Sequence, residues 1–488
     1  MAIATNEQTV VDQVEKHLYI GGEWIDASEG RTLPVEDPAT GEALCEVADA
    51  NPADALRALD AAVDAQADWA KVPPIDRGEI LRRSFEKLTE RADELALLMT
   101  LEMGKPLAES KAEIAYAAEF FRWFAGEATR IHGQFNMAGN GVGRVLTLKQ
   151  PIGPCVQITP WNFPMAMGTR KIGPAIAAGC TMVMKPASQT PLSMLALGQI
   201  LEEAGLPGGV LNIVTSSSSG KTMEPLIRDP RTRKLSFTGS TEVGRMLLEQ
   251  ASEQILKVSM ELGGNAPFLI FEDADLDAAV EGAVVAKMRN GGQACTAANR
   301  FLVHAAVANE FTTRLGAALA ALRIGDGLAP TTEVGPLING AARAEMARLV
   351  AGSLDAGAVV QTGGRAPERP GYFYEPTVLA GVPQDAGILD EEIFGPIAPV
   401  VAFETEDEAL ALANRSALGL AAYVFTRDLG RGLRIAEAIE AGMVAINRGL
   451  LSDPAAPFGG VKQSGIGREG GHEGILEFTE CKYVSTNW

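Results

Sequence analysis

"PCVQITPWNFPMAMGTRKIGPAIAAGCTMVMKPAS", residues 154–188, decides the fold. It opens on a short apolar run, "PCVQITP", and closes on another, "TMVMKP", with a helical pattern near 166–178 between them. Two short strands joined by one helix make a β-α-β unit, and that unit implies parallel pairing. The pattern continues downstream. The strands "GVLNIVT", "KLSFTG" and "LKVSMELG" alternate with helices near 191–204, 220–228 and 241–255. The expectation is an α/β chain with a Rossmann-like parallel sheet, which takes nucleotides at the carboxyl ends of its strands. A second α/β stretch runs from about 265 to 450, with strands such as "APFLIF", "RFLVHA", "PVVAFE", "AAYVFT" and "GMVAIN".

Upstream the pattern is helical. "NPADALRALDAAVDAQADWAKV" starts with an N-cap asparagine and a proline at the first helical position. Two more helices are expected at roughly 74–100 and 106–130. "HGQFNMAGNGVGRVLTLKQ" (132–150) breaks the rhythm and reads as a protruding hairpin, and the tail "EFTECKYVSTNW" reads as an edge strand.

Bulk properties exclude several functions. The chain has 488 residues, enough for two or three domains, and a formal charge of −20. That charge repels nucleic acid and anionic lipid, so neither is an expected partner. The five cysteines (45, 155, 180, 295, 481) form no C-x-x-C pair, which points to neither a zinc site nor a disulfide framework. "MAIATNEQTVVDQVEKHLYI" lacks the signal-peptide pattern, and no run approaches about 18 apolar residues, so the protein is expected in the cytoplasm with reduced thiols. The four histidines (17, 132, 304, 472) are not at metal-ligand spacing. No metal is expected, and a general base is then a carboxylate.

Two motifs look like nucleotide signatures, and each departs from the pattern at one point. "GIGREG" (465–470) matches G-x-G-x-x-G but follows what reads as loop. "TSSSSGKT" (215–222) lies between a strand and a helix as a P-loop does, yet starts with Thr215 where the tight turn needs glycine. A P-loop-like NTPase is therefore an alternative from a different class, opposed by a plain strand-to-helix loop.

Three further stretches sit near strand ends: "TPWNFP" (159–164), "ELGGNAP" (261–267) and "GGQACT" (291–296). By itself Cys295 reads either as a small buried hydrophobe or as a reactive thiol. Together with "KPAS", "FTGST", "EEIFGP" and "PFGGVKQSGIGREGG", in this order over nearly the whole chain, these stretches resemble the aldehyde dehydrogenase superfamily. The division this implies is a cofactor-binding domain of residues 1–128 and 149–260, a catalytic domain of 261–468, and a small β oligomerisation element of 129–148 and 469–488.

The resemblance implies roles. Cys295 attacks the aldehyde, and Asn162 with the Cys295 backbone N–H holds the oxyanion. Hydride passes to the nicotinamide, and Glu261 activates water to hydrolyse the thioester. CoA-acylating relatives commonly lack this glutamate, so Glu261 argues for release of the free acid. Thr159, Pro160 and Trp161 belong to the cofactor site. Lys185 holds the adenosine ribose, with Ser188 beside it. Gly239 and Ser240 lie under the pyrophosphate, and Glu392 and Phe394 fix the nicotinamide ribose and ring. The plainer readings are a turn asparagine for Asn162, a loop-bonded carboxylate for Glu261 and a solvated acidic face for Glu392 with Glu391.

Within the superfamily the resemblance is to bacterial succinate-semialdehyde dehydrogenases, where two arginines and a serine hold the far carboxylate. Arg170, Arg289 and Ser452 match. Their plainer readings are a surface helix residue for Arg170 and a helix C-terminal cation for Arg289. Five-carbon substrates, glutarate semialdehyde and 2-oxoglutarate semialdehyde, would use the same anchor. Both NADP and NAD are expected cofactors, with Ser188 standing where NAD-preferring relatives often carry glutamate. Ala297 stands where some animal forms have a second, resolving cysteine, so that redox switch is expected to be absent. A homodimer or homotetramer is expected. A non-catalytic protein on the same fold is the remaining alternative, opposed by the presence of both nucleophile and base.

Overall fold

In the computed structural model, which describes residues 5–487, the five strands expected between 154 and 261 form one parallel sheet. They are Cys155–Ile158, Met182–Lys185, Leu211–Ile213, Lys234–Thr238 and Lys257–Glu261. Numbered one to five in chain order, they lie 3-2-1-4-5, so the direction of winding reverses between the first and the fourth. That reversal opens a crevice at the carboxyl ends of these two strands, where "TPWNFP" and "TGS" emerge. Three antiparallel edge strands complete an eight-stranded sheet: Leu18–Ile20 and Glu23–Ile25 on one side, Gly465–Ile466 on the other.

Alternation sends successive side chains to opposite faces of this sheet. Val156, Val183, Leu235 and Met260 pack into one core, and Cys155, Met182, Met184 and Ile213 into another. The last two parallel strands break the apolar rule on one face. Lys234, Ser236 and Thr238 run beside Lys257, Ser259 and Glu261 in register. Four of the six have polar partners: Lys171 Nζ donates to Ser236 Oγ (3.1 Å), Lys234 Nζ to Ser259 Oγ (2.5 Å), Ser259 Oγ to Glu477 (3.1 Å) and Lys257 Nζ to the Leu476 carbonyl (3.0 Å). Glu261 ends this column.

The second stretch forms a seven-stranded sheet, ordered Val359–Thr362, Thr377–Ala380, Ile397–Phe403, Ala298–His304, Ala266–Ile270, Ala421–Phe425 and Met443–Ile446. Only the first pair is antiparallel. The expected hairpin is Phe135–Met137 with Arg144–Pro151, and the tail strand Thr479–Thr486 pairs along its second arm, giving a three-stranded antiparallel sheet. Trp488 lies outside the described residues. Asn51 caps the helix Pro52–Trp69 through a reciprocal capping box with Asp54.

One expected helix is two. Pro74–Glu90 ends at Arg91 (φ −98°, ψ 15°), and Ala92–Met103 restarts from it. The Arg91 guanidinium bonds Glu94 and Glu203, which favours a kink that the apolar spacing does not register. Among the described residues no helix is long and apolar enough to cross a membrane.

In the "TSSSSGKT" loop the Ser217 donors are already taken. Ser217 gives both its N–H (2.9 Å) and its hydroxyl (2.8 Å) to the Asp49 carboxylate, so the anion there is the protein's own. This overturns the P-loop alternative. "GIGREG" begins as the edge strand Gly465–Ile466 against Met260 and Glu261, so its first glycine serves strand pairing.

Candidate active site

Cys295 lies in a cleft of about 230 Å³ at the crevice, walled by Trp161, Asn162, Gly239, Ser240, Glu261, Glu392 and Phe394 among others. It follows a tight turn in which Asn290, Gly291 and Gly292 all have left-handed backbones (φ 55°, 61° and 80°). The turn delivers Cys295 against the loop after the fifth strand: a Cβ on Gly264 would lie 1.9 Å from the Cys295 carbonyl oxygen. Glycine is required there by close approach. Burial pushes the Cys295 thiol up to about 12, Arg170 and Arg289 pull it down, and Glu392 and Glu261 push it further up.

Asn162 is fixed on both sides of its amide. Its Oδ1 accepts from the Phe163 N–H (3.2 Å), and Nδ2 donates one hydrogen to the Gln293 carbonyl (3.0 Å). The second Nδ2 hydrogen remains for an oxygen in the cleft. The Asn162 carbonyl is held by Lys105 Nζ (2.8 Å) and Asn290 Nδ2 (2.9 Å). Lys105 is buried, lies 4.2 Å from the Phe163 ring centroid and pairs with Glu113 (2.5 Å). The other Glu113 oxygen accepts from the Met165 and Ala166 N–H groups at the start of the helix Ala166–Ala178. The plain turn reading of Asn162 does not account for this support. The sequence reading missed Lys105, Glu113 and Asn290, because their partners lie 52 to 128 residues away.

Glu261 is 2 % exposed, and neither carboxylate oxygen has a hydrogen-bond partner among the described residues. The plain loop-bonded reading therefore fails. Burial holds its carboxyl well above the usual range, and Glu469 pushes the same way against Arg170, Lys171 and Arg468. Glu469 in turn pairs with Arg170 Nε (2.5 Å) and with Lys171.

A dinucleotide fits the other groups. Ser240 lines the cleft and caps the helix Thr241–Ser252, and the N–H groups of a helix N-terminus suit an anion. Lys185 is buried at the end of its strand and forms no ion pair among the described residues; desolvation lowers its ammonium to about 8. Trp161 and Phe394 meet edge-on, centroids 5.4 Å apart, with Phe394 in a left-handed conformation (φ 49°). Glu392 accepts from the Gly264 N–H (2.9 Å), and burial raises it to about 7, unlike a solvated acidic face. Thr159 donates its N–H to the Lys185 carbonyl (3.1 Å), and Pro160 lines the cleft. Ser188, three residues after Lys185, lines a cavity of about 280 Å³ with Glu36, Ser217 and Asn339.

A second cavity, of about 450 Å³, meets the first across Phe163. It contains Arg289 and Ser452, whose hydroxyl accepts from Arg289 Nη1 (3.1 Å). Arg170 is not a surface residue: it is 1 % exposed, bound to Glu469, with its guanidinium 4.2 Å from the Phe458 ring centroid. It is not in the wall of this cavity. Tyr116, which the sequence reading also missed, does line the cavity and neighbours Arg170.

The aldehyde dehydrogenase family model matches residues 24–484. The chain belongs to the aldehyde dehydrogenase family. Like other members, this aldehyde dehydrogenase is an NAD(P)-dependent oxidoreductase. It is 58 % identical over 441 residues to the succinate-semialdehyde dehydrogenase of Paenarthrobacter nicotinovorans, covering 90 % of this chain and 98 % of that one. It is 51 % identical to the glutarate-semialdehyde dehydrogenase of Pseudomonas putida, covering 96 % and 97 %. The crystal structure of an NADP-dependent enzyme of Escherichia coli superposes with a TM-score of 0.96 at 49 % identity, covering 98 % of this chain and 99 % of that one.

Proposed function

We propose that this aldehyde dehydrogenase oxidises succinic semialdehyde to succinate, with NADP used well and NAD also accepted. The observation that carries the reading is the Arg289–Ser452 pair in the cavity that meets the Cys295 cleft across Phe163. A guanidinium fork held by a serine, in a protein of charge −20, is a local site for a carboxylate. The likeness to a succinate-semialdehyde dehydrogenase supports the four-carbon substrate.

In this reading Cys295 Sγ bonds the aldehyde carbon, with Arg170 and Arg289 favouring the thiolate against burial. The oxyanion forms opposite the free Asn162 N–H, held in place before the reaction by Lys105 and Asn290. The chemistry the dinucleotide supplies when bound is acceptance of the hydride. Ser240 and its helix N-terminus would hold the pyrophosphate, Lys185 the adenosine ribose or its 2′-phosphate, and Glu392 and Phe394 the nicotinamide end. Glu261, with both oxygens unpartnered among the described residues, takes a proton from water as that water attacks the thioester. Succinate leaves, and Cys295 is regenerated. The free thiols suit a reducing compartment, so we place the reaction in the cytoplasm.

The test is kcat/KM for succinic and glutaric semialdehydes with each cofactor, in wild type and Ser188→Glu. We expect the four-carbon substrate and NADP to be preferred, and the Ser188→Glu carboxylate to turn the preference towards NAD by repelling a 2′-phosphate. One methylene is worth about 1–3 kcal/mol, so a preference for glutaric semialdehyde by tenfold or more would move the assignment to five carbons, in line with the Pseudomonas putida relative.

A further inference from the structure

We infer that Tyr116 is a specificity-determining residue whose hydroxyl completes, with Arg289 and Ser452, the cradle for the substrate carboxylate. This rests on the carboxylate reading above and supplies a group that no sequence motif marks. Tyr116 lies on the helix Leu107–Glu127, and Glu109, Ala112, Glu113 and Tyr116 all line the larger cavity. Their spacing of i, i+3, i+4 and i+7 places them on one face of the helix, so Tyr116 faces the cavity by helical geometry. Its ring meets Phe120 one turn on, centroids 4.9 Å apart at 68°, which fixes the direction of the phenol.

Arg289 is set between two rings. Its Cζ lies 5.8 Å from the Tyr116 centroid and 4.7 Å from that of Phe163, while Nη1 donates to Ser452 (3.1 Å). The remaining guanidinium N–H groups are left for a ligand. The Tyr116 hydroxyl neighbours Ser452 and the Arg170 guanidinium. Arg170 itself is held by Glu469 and Phe458 and lies outside the cavity wall. It therefore acts on a carboxylate through the phenol: a cation behind a hydroxyl makes that hydroxyl a stronger donor. Both arginines lower the phenol's pKa against the effect of burial. A neutral donor beside Arg289 adds a charge-assisted bond to the carboxylate without burying a third cation in the wall.

The experiment compares succinic semialdehyde with butanal, which has the same chain length and no carboxylate. The readout is the ratio of their kcat/KM values in wild type, Tyr116→Phe and Arg289→Ala. Tyr116→Phe removes one oxygen and keeps the ring, and a folding defect lowers both rates together, so the ratio reads the hydroxyl. We expect the ratio to fall about tenfold in Tyr116→Phe, through KM for the semialdehyde, as for loss of one bond to a charged group. A fall below about threefold, while Arg289→Ala lowers the ratio at least about tenfold, overturns the role of Tyr116 and leaves the carboxylate reading standing. A ratio unmoved in both variants overturns the carboxylate reading and this inference with it.

Discussion

Glu261 combines two properties rarely found together in one carboxylate: it is buried, and neither oxygen is hydrogen-bonded among the described residues. Burial and the nearby Glu469 raise its pKa, so it stays protonated to higher pH than an ordinary glutamate. Only the ionised form can take a proton from water. The sign follows: deacylation is slow while Glu261 is protonated and accelerates as pH rises through its elevated pKa. In Glu261→Gln we expect a burst of about one reduced nucleotide per active site, then slow turnover without that pH-dependent rise. Stopped-flow absorbance across a pH series checks both points. A variant with no burst would place Glu261 before the hydride leaves the substrate. Cys295 shows the same balance, with its thiol pushed up by burial and drawn down by two arginines.

The loop after the fifth parallel strand shows how elements carry this geometry. Leu262 N–H donates to the Ser464 carbonyl (2.9 Å), Ser464 Oγ to the Gly263 carbonyl (2.7 Å), and Arg300 Nε and Nη2 to the Asn265 carbonyl (3.0 and 2.9 Å). Gripped at these points, the loop has little room to retreat from Cys295. A methyl at Gly264 would sit 1.9 Å from the Cys295 carbonyl oxygen, so the nucleophile loop must shift instead. We expect Gly264→Ala to lower kcat on the order of a hundredfold, because a displacement near 1 Å is enough to lose alignment. Single-turnover kinetics, with cofactor binding by fluorescence as the control, checks this; near-wild-type kcat would mean that the two loops have slack. The elements themselves were legible where one local pattern governs them. The strands of "PCVQITP" and "TMVMKP" are buried on both faces and read as apolar runs. The kink at Arg91 and the three-residue strands Leu18–Ile20 and Glu23–Ile25 leave no periodic signature, and the sequence reading missed them. Site residues divide the same way. Cys295, Glu261 and Asn162 sit in motifs, whereas Lys105, Glu113 and Tyr116 lie within ordinary-looking stretches around helix starts and faces. Their significance arises only when the helix Leu107–Glu127 packs beside Asn162 and Arg289.

At the scale of the whole molecule, the sheets end in strands with one side unpaired among the described residues. Among the described residues Met443–Ile446 pairs only with Ala421–Phe425, and Thr479–Thr486 only with Arg144–Pro151. An open edge is a template for another chain unless it is blocked by charge, bulge or cover. The three-stranded sheet also presents apolar side chains to solvent: Met137 is 62 % exposed and Tyr483 61 %. A layer of three short strands has little core of its own, so exposed apolar side chains on it suit an external partner. A second copy of the chain offers both a complementary edge and an apolar face, and closed symmetry lets each protomer give and receive the same contact. We therefore expect a homodimer or homotetramer, built through the sheet containing Thr479–Thr486. Light scattering at micromolar concentration checks it, with a mass at a multiple of the 51.4 kDa chain expected. Met137→Asp combined with Tyr483→Asp places charge on that face and is expected to shift the mass towards the single chain. A wild-type protein already at the single-chain mass would mean that these edges and side chains meet solvent in the working enzyme.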